Sequence, residues 1–266
     1  MSEISHSPIA GSARLLRVGL WAVFYALVLA AWVGVARMGA TRPGADLGAM
    51  PADFWAALCL SAGQADLAAL YAMWALMSLA MMLPTFVPAL STFADLGHAG
   101  AGGARAMAAL VAGYMLVWLG AAAAGALAQA GLSKAGLLSP LGVSLSPWLT
   151  AALLFLAGGY QFSRLKQACL TKCRLPLTFF IERWRPGPLA ALRMGAQLGA
   201  LCLGCCWALM ALGFVGGTMN LLWMGAATAF MVLEKLPDIG RWLTRPAGWL
   251  LIFTGFWALT RALTLV

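Results

Sequence analysis

Between Leu67 and Ala94 the sequence "LAALYAMWALMSLAMMLPTFVPALSTFA" carries no charged residue. A run of this kind constrains the fold more than any motif, because about 20 apolar residues in an α-helix cross a hydrocarbon core of about 30 Å. Comparable runs recur along the chain. The spans read at 15–36, 66–91, 105–130, 147–168, 189–214, 218–236 and 246–265 make seven crossings. Composition agrees, since 63% of the 266 residues are hydrophobic and 9% charged, against roughly 25% charged in a soluble domain. The expected fold is an all-α, polytopic transmembrane helical bundle in which residues 1–266 form a single integral membrane domain. The turn "FVGGTMN" at Gly216 and Gly217 decides the count, for without a reversal there the spans number six. Arg14 and Arg17 precede a first run too long for an ordinary signal core, so an uncleaved first span is expected, with cleavage near "VARMGA" as the alternative.

The loop charges orient the bundle. The segment "SRLKQACLTKCRLPLTFFIERWRPG" holds Arg164, Lys166, Lys172, Arg174, Arg183 and Arg185, which the positive-inside rule places in the cytoplasm. Counting crossings from it puts the N-terminus inside with Arg14 and Arg17. The stretch "EKLPDIGRWLTRP", with Lys235, Arg241 and Arg245, also falls inside, and the loop bearing Asp46, Asp53 and Asp66 falls outside. The expected location is the bacterial inner membrane. The net charge of +9 is thereby explained by orientation and implies no nucleic-acid partner.

Charged residues are expected only near span ends, Glu234 among them, and the interior holds no histidine. Its polar inventory reduces to Ser78, Thr85, Gln129, Gln197, Asn220, Thr228 and sulfur. The sulfur is ordered. In "LGALCLGCCWALMALG" Cys202, Cys206 and Met210 share one helical face with Cys205 beside it, because positions three or four apart are neighbours. Gly195 and Gly199 extend that face and predict a close approach by another helix. Met73, Met77 and Met81 form a stripe on the second span, and Asn220, Met224, Thr228 and Met231 another on the sixth. Met81 and Met224 lie within about 6 Å of the depth of Cys202 at 1.5 Å per residue. Thiolates and thioethers select Cu(I), whereas zinc ordinarily takes four ligands with His or carboxylate among them. A second pair, Cys169 and Cys173 in "KQACLTKCRLP", sits among Lys166, Lys172 and Arg174, which should depress the thiol pKa values. A separation on the order of 15–20 Å makes it an entry site distinct from Cys202.

Packing alone would also explain isolated buried cysteines and Met stripes. Three thiols within five residues have no packing role that alanine or serine would not fill. No acid–base pair, phosphate loop or nucleophile beside a histidine is present, so no enzyme is expected.

The stretches "YQFSRLKQACLTKCRLP", "LRMGAQLGALCLGCCWALMALGFVGGTMNLLWMGAATAFMVLEKLP" and "WALMSLAMMLPTFVP" resemble the family of predicted metal-binding integral membrane proteins that includes a proposed copper chaperone for polyphenol oxidase (tyrosinase). The resemblance covers Trp74 to Pro88 and Tyr160 to Pro237. It implies that Cys169, Cys173, Cys202, Cys205, Cys206 and Met210 are motif positions, with Met81, Met82, Asn220 and Glu234. One departure is that many members carry a histidine immediately before the glycine matching Gly199, where this chain has Leu198. The expected function is Cu(I) binding by Cys202, Cys205, Cys206, Met210 and Met81, with Cys169 and Cys173 as the docking pair, and delivery to a membrane or extracytoplasmic cuproenzyme. A structural or assembly subunit among partner membrane subunits is the alternative, and a thiol redox protein the third reading.

Overall fold

The computed structural model describes residues 8–40, 67–96, 103–218 and 220–264. Among them the chain is all helical, apart from one isolated bridge between Leu138 and Ser144. The helices are α1 (Pro8–Ala40), α2 (Leu67–Leu96), α3 (Ala104–Lys134), α4 (Pro147–Gln161), α5 (Arg164–Arg174), α6 (Pro176–Arg183), α7 (Pro188–Ala211), α8 (Gly213–Gly216), α9 (Leu221–Lys235) and α10 (Pro237–Thr264). Among the described residues three stretches are long and apolar enough to cross a membrane, Leu67–Leu96, Ala104–Lys134 and Pro188–Gly216, with Trp21–Arg37 a shorter apolar stretch within α1.

Prolines and small polar caps set most of the boundaries. Ser146 and Pro147 start α4, the serine Oγ accepting from the Leu149 N–H at 3.4 Å. The span read at 147–168 is broken: α4 stops at Gln161, and Ser163 starts α5 by accepting from the Lys166 N–H at 3.1 Å. Pro176 and Pro188 open α6 and α7, and a residue preceding proline is driven out of helical geometry. The expected reversal at "FVGGTMN" occurs. Gly217 takes φ +96°, a conformation that glycine adopts without steric cost, between α8 and α9. No loop follows Lys235. Leu236 is extended (φ −70°, ψ 131°) because Pro237 follows it, and α10 begins at once.

The centre of the bundle is α7, which packs along α3 and also carries α5, while α2 packs on α3 and α4 pairs with α10. The α3–α7 contact is as close as the glycine pattern predicts. A Cβ at Gly195 would land on the Leu110 carbonyl, one at Gly113 on the Leu192 carbonyl, and one at Gly199 would stand 2.9 Å from the Tyr114 oxygen. These neighbours are backbone atoms, so the helices can yield only by separating. Gly195→Ala is therefore expected to cost about 1–3 kcal/mol or more by overpacking, read as a lower melting temperature of the purified protein. An unchanged midpoint would contradict the close approach.

Candidate metal centre

Spacing i, i+3, i+4 brings Cys202, Cys205 and Cys206 to one face of α7. All three are buried, and their sulfurs lie within 4.8 Å of one another. Cys205 Sγ is 3.3 Å from Cys206 Sγ and donates to the Cys202 carbonyl at 3.1 Å. Met210 is buried one turn beyond Cys206. Met81 is buried on α2, one turn before Thr85, and it is Thr85 that reaches Cys202, its Oγ1 standing 3.9 Å from the sulfur.

The interior is not limited to sulfur, amides and hydroxyls. Lys235, read from sequence as a cytoplasmic loop residue, is buried, with Nζ 3.1 Å from Cys202 Sγ, 2.8 Å from Thr85 Oγ1 and 3.5 Å from the Thr85 carbonyl. Tyr114 of α3 donates to the same sulfur at 3.0 Å and stacks on Phe86 of α2, ring centroids 4.1 Å apart. An ammonium and a phenol thus both direct hydrogens at Cys202. Charge-assisted bonds of this kind are the strong ones. The cause is local: Pro237 ends α9 immediately after this turn, so Lys235 projects from the last turn into the bundle instead of from a loop into water.

The same turn turns Glu234 inward. Its Oε2 takes Lys166 Nζ at 2.8 Å, both side chains 1% exposed, and its carbonyl takes Arg174 Nε at 2.9 Å. The positive-inside rule counts both cations with the cytoplasmic segment; the structure shows them fastening α5 to the end of α9. Removing one partner of such a pair strands a buried charge, at about 3–5 kcal/mol. Glu234→Gln is therefore expected to lower the melting temperature sharply, and Lys166→Met with Glu234→Leu to restore much of it. A single variant as stable as wild type would contradict the pairing.

The two thiol groups are not distant. The break at Phe162–Ser163 folds α5 back against α7. Cys173 adjoins the Cys205 thiol, and a Cβ on Gly204 would lie 2.8 Å from Cys169 Sγ. The expected gap on the order of 15–20 Å assumed that α5 continued the axis of α4. The pKa expectation is also reversed at Cys169, where burial pushes the thiol up; Lys166, which should have depressed it, is spent on Glu234. Asn220 leaves the proposed face too. It is exposed and caps α9, accepting from the Leu222 and Trp223 N–H groups at 3.1 and 3.2 Å, while Met224, Thr228 and Met231 of that face are buried. Leu198 is buried, and the neighbouring Gln197 accepts from Arg183 at 2.9 Å.

A family model described as PpoB2, copper chaperone, matches residues 71–258. The chain belongs to the PpoB2 copper chaperone family. The matched region runs from α2 into α10 and contains every thiol, lysine and tyrosine described above. No curated protein and no solved structure matches the chain. The family assignment agrees with the resemblance read from the cysteine motifs, and with a buried thiol cluster it supports a copper-binding role.

Proposed function

We propose that this chain is a multi-pass protein of the bacterial inner membrane that binds Cu(I) as cargo and delivers it to a cuproenzyme. The observation that carries the reading is the cluster of three buried sulfurs on α7 with Lys235 against one of them. Cu(I) favours soft sulfur donors. Two thiolates around Cu(I) leave a charge near −1, and the Lys235 ammonium brings the assembly near neutrality, which removes most of the cost of holding it away from water. Cys202, Cys205 and Cys206 are the ligand set, two of them as thiolates and the third as a neutral thiol. Met210 and Met81 lie one turn from it and from its Thr85 contact, where a thioether could complete the coordination. Cys169 and Cys173 stand beside the cluster, so an ion taken up at α5 reaches α7 by exchange between neighbouring sulfurs.

Membrane insertion is supported by the three long apolar helices and by the large apolar side chains on the outer surface, among them Leu222 at 86% exposed; an apolar exterior of this extent marks contact with lipid or protein. The seven crossings and the cytoplasmic position of α5 are part of the same proposal. Membrane-impermeant thiol reagents should spare Cys173 in intact cells and reach it in inside-out vesicles; labelling of Cys173 from outside would overturn the orientation.

The test of copper binding is the metal content of protein purified from copper-supplemented cells. Wild type should retain Cu(I), and the Cys202→Ser, Cys205→Ser, Cys206→Ser triple variant should not. Equal copper in both, with the client enzyme still supplied, would overturn the metal site and favour the scaffold reading, towards which the leucine at position 198 points.

A further inference from the structure

Arg174, whose guanidinium holds the Glu234 carbonyl, also lines a cleft of about 920 Å³ between the end of α4, α5 and the first half of α10. Arg241 and Arg245 of α10 line it as well, four residues apart and hence on one face. Three arginines therefore line one cleft, Arg241 and Arg245 with exposed side chains, and no carboxylate lines it among the described residues. Glu234, which abuts Arg174, is committed to Lys166. Asp238 is exposed and outside the lining. Among the described residues neither Arg241 nor Arg245 has an ion-pair partner. Burial holds the Arg174 guanidinium below the usual arginine range, with Glu234 opposing the shift and Arg241 adding to it.

The second observation is independent of charge. Gln161, at the end of α4, lines the same cleft, is 1% exposed, and has neither its Nε2 nor its Oε1 paired. A buried amide without partners costs free energy, and in a cleft lined by arginines a bound ligand is one way to complete it. The missing partner must supply an acceptor for Nε2 and a donor for Oε1, and must be anionic to satisfy the arginines. A phosphate provides the acceptors; a hydroxyl beside it provides the donor. The mouth carries Trp242 at 80% exposed, with Trp249 at 55% exposed two turns further along α10. Tryptophans so placed mark the level of lipid headgroups in a membrane protein, and basic clefts between helices at that level hold anionic headgroups.

We propose that the cleft formed by Gln161, Arg174, Arg241 and Arg245 binds a phosphate-bearing anion, namely the hydroxylated headgroup of an anionic phospholipid. The headgroup source rests on the membrane reading above; the anion site itself does not. The site is separate from the thiols and requires no metal. Glu234 pairs with Lys166 and also acts on Arg174, whereas neither Arg241 nor Arg245 has a carboxylate partner among the described residues, so these two are open to an anion. A headgroup in the cleft would tie α10 to α5, the helix that carries Cys169 and Cys173.

The test uses the full-length protein purified in neutral detergent, with thermal unfolding followed as ligand is added. Short-chain phosphatidylglycerol should raise the melting temperature saturably and short-chain phosphatidylcholine should not. In the Arg241→Gln, Arg245→Gln variant the apparent dissociation constant for phosphatidylglycerol should rise about tenfold or more, since hydrogen bonds to charged groups are lost, with the unliganded midpoint and copper content unchanged. Gln161→Leu should weaken binding without altering net charge. If inorganic phosphate produces the same arginine-dependent shift and phosphatidylglycerol adds nothing, the anion site stands and the lipid source is overturned. If phosphatidylglycerol and phosphatidylcholine act alike, or if the double variant responds as wild type does, the site itself is overturned. Retention of wild-type protein in carbonate-washed membranes reports on the membrane reading separately.

Discussion

Cys202→Ser is expected to strip the protein of most of its copper while leaving its helices in place. Serine occupies nearly the volume of cysteine, and its oxygen can accept the same hydrogens from Tyr114 and Lys235 that the sulfur receives at 3.0 and 3.1 Å. The polar contacts that fix α3 and α9 around this point are therefore retained. What disappears is a soft, ionisable donor, since a serine hydroxyl stays protonated and is a poor partner for Cu(I). Changes to groups that merely orient a ligand already cost 10–100-fold in metal affinity, so loss of the ligand itself should exceed about a hundredfold. Cys59→Ser is the control; Cys59 lies outside both cysteine motifs and outside the described residues. Competition against a chromophoric Cu(I) chelator measures both variants. Equal affinities for Cys202→Ser and wild type would remove Cys202 from the ligand set.

Lys235→Leu is expected to change which metal the site prefers. With two thiolates, Cu(I) and one ammonium the buried assembly is neutral; with Zn(II) in place of Cu(I) it carries an extra positive charge. Leucine removes the charge without bringing a new sulfur donor beside Cys202, making the divalent complex the neutral one. A unit charge about 5 Å from the metal, at an effective dielectric constant near 20, is worth about 3 kcal/mol. The ratio of Cu(I) to Zn(II) affinity should thus fall roughly a hundredfold. Metal competition on purified protein gives the ratio, and unchanged helicity shows that the fold survives. A ratio equal to that of wild type would mean that Lys235 serves structure alone.

The parts of this molecule that follow from periodicity were legible in the sequence. Uncharged runs marked the helices, the glycine stripe at Gly195 and Gly199 marked the approach of α3, and the spacing of Cys202, Cys205 and Cys206 placed their sulfurs together. The parts that depend on partners far apart in the chain were not. Charge counting leaves Lys166 and Lys235 with the cytoplasmic segments and Glu234 at a span end, because it registers sign and density and is blind to a partner 68 positions away. A local signal was present in "EKLP", where the proline fixes the end of a helix and so confines the two charges to its last turn. The union of the two thiol groups was hidden for a similar reason. A single capping serine, Ser163, redirects α5 onto α7, and an apolar run drawn through that residue hides the bend. Tyr114, a polar-tipped aromatic inside an apolar span, was the remaining clue, since a buried tyrosine hydroxyl needs a partner.

If Cu(I) is held by sulfurs of α7 in a dry part of the bundle, X-ray absorption at the copper edge of metal-loaded protein reads both its oxidation state and its ligand atoms. Wild type should show monovalent copper surrounded by sulfur alone, with loss of bound copper in the Cys202, Cys205 and Cys206 triple serine variant. Copper ligated mainly by nitrogen or oxygen, or a sulfur shell that persists unchanged in the triple variant, would contradict it.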